Sequence, residues 1–283
     1  MSVSKVFLLF CLCCLTIFPV NADLKIHFLD VDDGDAVLLQ ADDKTMLIDS
    51  GTANSGNLTR YYLQELGITR LDQVLVTSTE EGRTGGLTNI LNATPVDSYF
   101  DGGWNSSGGS YQDIINKMQE DQMPMTRVTA GNSIPFVDGV NISLLKPANK
   151  SGTLATDTLI PFITYGNFNV LLMGTHNDVP EIHNVQIVRV PDHGSSHSID
   201  PEFIIQVHPE IAIVSTGGGA SIGYPEYGTI NTLQTAGAEV MRTDSDGTII
   251  IETDGKSVSV TKLRMEPEIT LSLVSVVETR SPS

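Results

Sequence analysis

Apolar and polar residues alternate over residues 24–29, again from Ala36, and again over 45–48, so the chain opens on a meander of short strands. Val31-Asp32-Asp33-Gly34-Asp35 makes the first turn, and Asp49-Ser50-Gly51 ends the third strand. Leu58, Tyr61, Tyr62 and Leu66 then fall on one helical face, with Gly67 where a helix stop is expected. Val74-Leu75-Val76 reads as a buried strand running into a loop at Thr77. Gly85-Gly86-Leu87 leads into a short helix, 102–109 is a flexible loop, and Tyr111, Ile114, Ile115 and Met118 mark another helix. Further strands are expected at 142–145, 159–164, 170–173, 185–190 and 211–214, and helices at 201–207 and 227–236. The chain closes on strands at 239–241, 248–252 and 258–261, with Asp246-Gly247 and Asp254-Gly255 as hairpin turns. Two runs of strands, each interleaved with and followed by helices, predict an α/β sandwich: two sheets face to face, covered by helices on both outer faces.

The first 22 residues change the picture. Lys5 precedes a short apolar run, which ends in Val20-Asn21-Ala22, the small-residue pattern of a secretory leader. The run contains Pro19 and is shorter than the roughly 20 residues of a membrane span. The expected organisation is therefore a signal peptide over 1–22, one domain over 23–265 and a tail over 266–283, with the mature protein extracellular and without a transmembrane segment. All 3 cysteines, Cys11, Cys13 and Cys14, lie in the leader, so disulfides do not hold the mature fold.

The formal net charge of −18 repels polyanions, and no Lys/Arg cluster counters it, which argues against nucleic acid as a partner. Asn-x-Ser/Thr sequons stand at Asn57, Asn92, Asn105, Asn141 and Asn149 and are the candidate glycosylation sites of a secreted chain. The tail alternates in apolar character and reads equally as a further strand or as an extracellular interaction segment.

Several ordered motifs resemble the metallo-β-lactamase-fold domain of ComEC-type competence proteins. They are Phe28-Leu29-Asp30-Val31-Asp32-Asp33-Gly34-Asp35-Ala36, Leu47-Ile48-Asp49-Ser50-Gly51, Gly85-Gly86-Leu87, His193-Gly194-Ser195-Ser196 and Arg242-Thr243-Asp244. The resemblance runs from Leu24 to about Lys262 and implies an αββα fold with two zinc ions. The family's metal loop reads Thr-His-x-His-x-Asp-His-x-Gly-Gly-Leu, whereas this chain has Thr77-Ser78-Thr79-Glu80-Glu81-Gly82-Arg83-Thr84-Gly85-Gly86-Leu87. Ser78, Glu80, Gly82 and Arg83 thus replace ligands. So do Thr175 (beside His176), Asp192, Tyr224 and Glu226, and only His193 keeps its imidazole.

Catalytic zinc needs neutral imidazoles, a carboxylate and an open position for water. The expectation is therefore no resident zinc and no catalytic residue, with Asp35, Glu80, Asp192, His193 and Glu226 as residual metal candidates. An oxygen-only set of this kind suits calcium or another divalent cation. Arg83 is expected to fill the vacated hole and pair with Glu80 or Asp192. Asp35 and Asp49 are expected to satisfy local backbone N–H groups. The leading functional expectation is an inactive member of a hydrolase family serving as an extracellular binding or matrix module. The alternative is a metal-dependent hydrolase or phosphodiesterase with a carboxylate-rich site.

Overall fold

The structure is a computed structural model that describes residues 24–105, 109–145, 158–174, 182–217, 223–266 and 270–280, the segment from 265 onward by its backbone. The leader, Asn149, Thr175 and His176 lie outside the described residues.

Two mixed sheets face each other. The first runs in the order β16-β15-β14-β1-β2-β3-β4-β5-β6. Its strands are β1 (Leu24–Phe28), β2 (Val37–Ala41), β3 (Lys44–Ile48), β4 (Leu71–Leu75), β5 (Val96–Asp101), β6 (Met125–Arg127), β14 (Thr248–Thr253), β15 (Val258–Glu266) and β16 (Thr270–Arg280). The second runs β13-β12-β11-β10-β9-β8-β7. It comprises β7 (Ser133–Pro135), β8 (Val140–Leu145), β9 (Ile160–Tyr165), β10 (Phe168–Leu172), β11 (Ile187–Arg189), β12 (Ile211–Val214) and β13 (Glu239–Arg242). In each sheet one side is an antiparallel meander and the other is parallel: β3, β4, β5 and β6 in the first, β10, β11, β12 and β13 in the second.

Burial explains the layering. Ile26, Phe28, Val37, Leu39, Met46 and Ile48 meet Ile142, Ile163, Phe168, Val170 and Leu172 in the core between the sheets. The opposite face of the first sheet, with Leu38, Leu47 and Val74, packs on α1 (Gly56–Glu65), α3 (Leu87–Leu91) and α4 (Gly109–Glu120) through Tyr62, Leu63, Ile90 and Ile114. The second sheet packs Leu171, Val188 and Val214 on α5 (Pro201–Val207) and α6 (Tyr227–Thr235) through Phe203, Ile204 and Leu233. With both faces buried, β12 is a run of apolar residues rather than an alternation, and so is most of β10. The expected sandwich is the observed fold.

One local expectation is corrected, and the tail takes the first of its two expected forms. Asp246-Gly247 is not a hairpin turn, because β13 and β14 belong to different sheets and the short helix α7 (Thr243–Asp246) carries the chain between them. Thr243 anchors that crossing, its hydroxyl donating to the Thr216 carbonyl and accepting from the Thr216 N–H, both at 2.9 Å. The tail is a strand, β16, paired antiparallel with β15.

Candidate functional site

The parallel strands β3, β4 and β11 end at one rim, and the loops leaving them carry the polar residues that the sequence singles out. Crevices at the carboxyl ends of parallel strands are where open α/β sheets place their sites. Asp49 follows β3 with φ +60°, and its N–H reaches the Leu75 carbonyl at 2.9 Å. Asp35 precedes β2, with its N–H on the Gly82 carbonyl at 2.9 Å. A Cβ on Gly34 would stand 2.7 Å from that same carbonyl, so only glycine lets this loop lie against its neighbour. The short helix α2 (Glu81–Thr84) carries Arg83, whose carbonyl accepts both the N–H and the hydroxyl of Ser50 at 2.8 Å.

At the centre lie two guanidiniums and two carboxylates. Arg83, 4% exposed, donates from Nε to Asp35 Oδ2 at 3.1 Å and from Nη1 to Thr77 Oγ1 at 3.3 Å. Glu80 flanks it at 3.7 Å. From the opposite sheet, Arg189, 1% exposed, brings Nη2 to 3.5 Å from Asp35 Oδ2 and Nη1 to 4.0 Å from Asp49 Oδ2. Its Nη2 also donates to the Met173 carbonyl at 2.8 Å, while Nε and Nη1 have no hydrogen-bond partner. Asp49 takes the N–H of Thr77 at 2.8 Å and its hydroxyl at 2.6 Å.

The partners of both carboxylates are therefore distant in sequence rather than the local backbone N–H groups that tight turns would supply: two guanidiniums at Asp35, and the N–H and hydroxyl of Thr77 at Asp49. Arg83 pairs with Asp35 and Glu80, and no ion pair joins it to Asp192 among the described residues. Glu80 is one of the two partners expected for Arg83, and Asp35 comes within reach because its loop is fastened to α2 by a backbone hydrogen bond.

The two carboxyls respond differently to the same pair of cations. Burial pushes Asp35 up, but Arg189 and Arg83 outweigh it and hold the group below the usual carboxylate range. Burial dominates at Asp49, whose nearest guanidinium nitrogen is farther away, and pushes it up to about 6. Burial disfavours the Arg83 cation, yet Asp35, Asp49 and Glu80 overcome that and stabilise it. Arg189 is pulled down by burial and by the second guanidinium beside it.

Above this quartet opens a small cleft of about 210 Å³ lined by Asp35, Glu80, Gly82, Arg83, Asp192 and His193. Asp192 and His193 form a 3₁₀ turn after β11, both with positive φ, +47° and +51°. His193 Nδ1 lies 2.8 Å from the Ser215 carbonyl. A carbonyl can only accept, so Nδ1 carries the proton. Ser195 and Ser196 assemble no nucleophile with that imidazole: Ser195 Oγ takes the His197 N–H, and Ser196 Oγ donates to Glu226 Oε2 at 2.8 Å. Glu226 is thereby held on Ser196 and is not among the cleft-lining residues, nor is Tyr224. Ser78 turns inward, its hydroxyl taking the Glu80 N–H at 3.2 Å. The sequons at Asn57, Asn92, Asn105 and Asn141 are exposed.

The fold implies a zinc pair, and these residues do not fit one. Among the described residues a single imidazole, His193, faces the cleft, Asp35 is engaged by two guanidiniums, and a cation that never deprotonates lies between the carboxylates. Among the described residues no group of three or more His, Cys, Asp or Glu is placed to hold a metal ion. No helix among them is long and apolar enough to cross a membrane.

In the sequence Arg189 stands only as one residue of the strand expected at 185–190. The available signal was a lone arginine inside Ile-Val-Arg-Val, because a buried charge demands a partner.

Fold and site together define a protein of the metallo-β-lactamase fold. The metallo-β-lactamase-fold protein YhfI of Bacillus subtilis matches it with a TM-score of 0.56 at 13% identity, over 82% of this chain and 100% of that one. The fold is one that metal-dependent hydrolases use. Within this class the sequence likeness is to the ComEC-type branch. ComE operon protein 3 of Bacillus subtilis is 23% identical over 88% of this chain and 36% of its own length. Recombination protein 2 of Haemophilus influenzae is 24% identical over 80% of this chain and 28% of its own. The chain thus spans about a third of the length of these relatives. No family model matches the chain.

Proposed function

We propose that this chain is a secreted, non-hydrolytic member of the metallo-β-lactamase fold that acts as an extracellular binding or matrix module. One observation carries the reading: Arg83 and Arg189 stand between Asp35 and Asp49, supplying the positive charge that these carboxylates need. Charge-assisted hydrogen bonds then replace metal–ligand bonds, and the rim keeps its shape without an ion. Secretion rests on the leader-like first 22 residues, and the charge of −18 favours a partner other than nucleic acid.

The test is elemental analysis of the purified mature chain, thermal melts with and without chelator, and a screen against generic phosphodiesters and esters. The expected result is no stoichiometric metal, the same melting temperature in both buffers, and no turnover. A second reading, a metal-dependent hydrolase or phosphodiesterase, draws on Asp35, Glu80, Asp192 and His193 lining one cleft. Turnover abolished both by chelator and by Glu80→Ala would establish it and overturn the first.

A further inference from the structure

A larger cavity, of about 620 Å³, opens elsewhere, between the end of β5, the edge strand β6 and α4. It shares no lining residue with the cleft. Its walls include Trp104, Tyr111, Gln112, Gln119 and Arg127, over a floor at Asp101.

The loop entering it is built to hold an indole in place. Asp101, 2% exposed, accepts the Gly103 N–H at 2.8 Å and the Tyr111 hydroxyl at 2.7 Å, so both carboxylate oxygens are satisfied. Trp104 meets Tyr111 edge to face, with centroids 5.7 Å apart and planes at 72°. A Cβ on Gly102 would stand 2.5 Å from the indole, and one on Gly103 would stand 2.6 Å from Arg127 Cδ. Both glycines are therefore needed for the ring and the arginine stem to fold over the backbone, and Gly103 also has φ +65°. Residues 102–109 read from sequence as a flexible loop, and the described part of it, 102–105, makes specific contacts through Gly103 and Trp104.

The geometry points to a saccharide carrying a carboxylate, such as a uronate, as the ligand of this pocket. Each wall matches one feature of such a ring. An indole offers a flat apolar surface to the C–H face of a pyranose. The Gln119 amide offers both donors and an acceptor to ring hydroxyls, and Gln112, whose Nε2 donates to Asn116 Oδ1 at 3.0 Å, adds its carbonyl oxygen as an acceptor. Among the described residues Arg127 is the only cation in the lining, and its planar fork suits one carboxylate. One cation in a chain of net charge −18 does not suit a polyphosphate.

Trp104 is the only tryptophan of the chain, so its emission reports the pocket directly. The mature protein is titrated with sodium glucuronate and sodium galacturonate, with glucose and galactose as neutral counterparts and sodium chloride as control. A saturable emission change is expected with a uronate, at an affinity about tenfold or more above that for the neutral sugar. Arg127→Gln, at an exposed position, is expected to reduce uronate affinity to the neutral level while leaving the melting temperature unchanged. Gln119→Ala is expected to weaken both classes. The proposal fails if no sugar gives a saturable change, if neutral sugars bind as tightly as uronates, or if Arg127→Gln binds uronate undiminished. Each of those outcomes leaves the metal and turnover results of the cleft untouched, so the two readings fail separately.

Discussion

Arg83→Met removes one guanidinium from the buried quartet while keeping much of its aliphatic bulk. Asp35 then loses its 3.1 Å partner and keeps only Arg189 at 3.5 Å, while Asp49 keeps Arg189 at 4.0 Å. Deleting one member of a buried pair costs about 3–5 kcal/mol, because the remaining charge stays out of water unpaired. Since Arg189 remains, the lower end, ~3 kcal/mol, is expected here. That is a large share of the roughly 5–15 kcal/mol that holds a domain folded. Urea denaturation at pH 8 reads it as a lower midpoint at unchanged slope. The loss should shrink toward pH 5: Asp49, already pushed up to about 6, takes a proton and leaves fewer bare carboxylates to compensate. The control is the double variant Arg83→Met/Asp35→Asn, which should recover at least ~1.5 kcal/mol relative to additivity. A loss below about 1 kcal/mol, or strict additivity of the two changes, would refute the claim that guanidinium–carboxylate pairing holds the rim together.

Two buried groups tilt stability against pH in opposite directions. Burial lowers His27 to about 4, so its contribution is complete above its unfolded value of 6.5 and is lost as pH falls toward 4. Asp49 is raised to about 6, so its contribution is complete below its unfolded 3.8 and is lost as pH rises through 6. Relative to the parent protein, His27→Gln should therefore make stability fall more steeply with rising pH between about 4 and 6.5, and Asp49→Asn should tilt it upward. Each change is ~3 kcal/mol across the window, read from denaturation midpoints, and equal profiles for the two variants would contradict the assignment. Gly86→Ala should cost about 1–3 kcal/mol or more of stability, read as a lower urea midpoint, because its Cβ would lie 2.3 Å from the Ser50 carbonyl and 2.8 Å from Gly56 Cα, both of them backbone atoms. An unchanged midpoint would mean that α1 and the Gly85-Gly86 turn are not in that contact.

What the sequence disclosed follows from periodicity. β12 and α5 fall on the expected 211–214 and 201–207, since a buried apolar run and an Asp200-Pro201 helix start leave little choice of boundary. β5, β6 and β7 escaped because their pattern does not read as strand. Met125–Arg127 is exposed along its whole length, and Ser133–Pro135 buries only Ile134. β4 begins at Leu71, earlier than its apolar run, because Asp72 is occupied at the sheet surface by Lys44 and the Thr45 N–H.

The cleft shows the limit of reading each position alone. Against the family pattern, Arg83 is a single intrusive cation, and Asp35 and Asp49 are turn residues that need no partner beyond the backbone. In three dimensions the two aspartates are buried, at 8% and 1% exposure, and two buried carboxylates require compensating positive charge whatever supplies it. Arg83 alone balances one of them. A second cation must come from the opposite sheet, because the loop that bears Arg83 already fills its own side, and β11 offers Arg189 there. Even so the compensation is incomplete. Arg189 leaves two nitrogens without hydrogen bonds, and Asp49, which its guanidinium approaches only to 4.0 Å, is pushed up by burial to about 6. Arginine at the centre of this rim thus satisfies Asp35 more fully than Asp49.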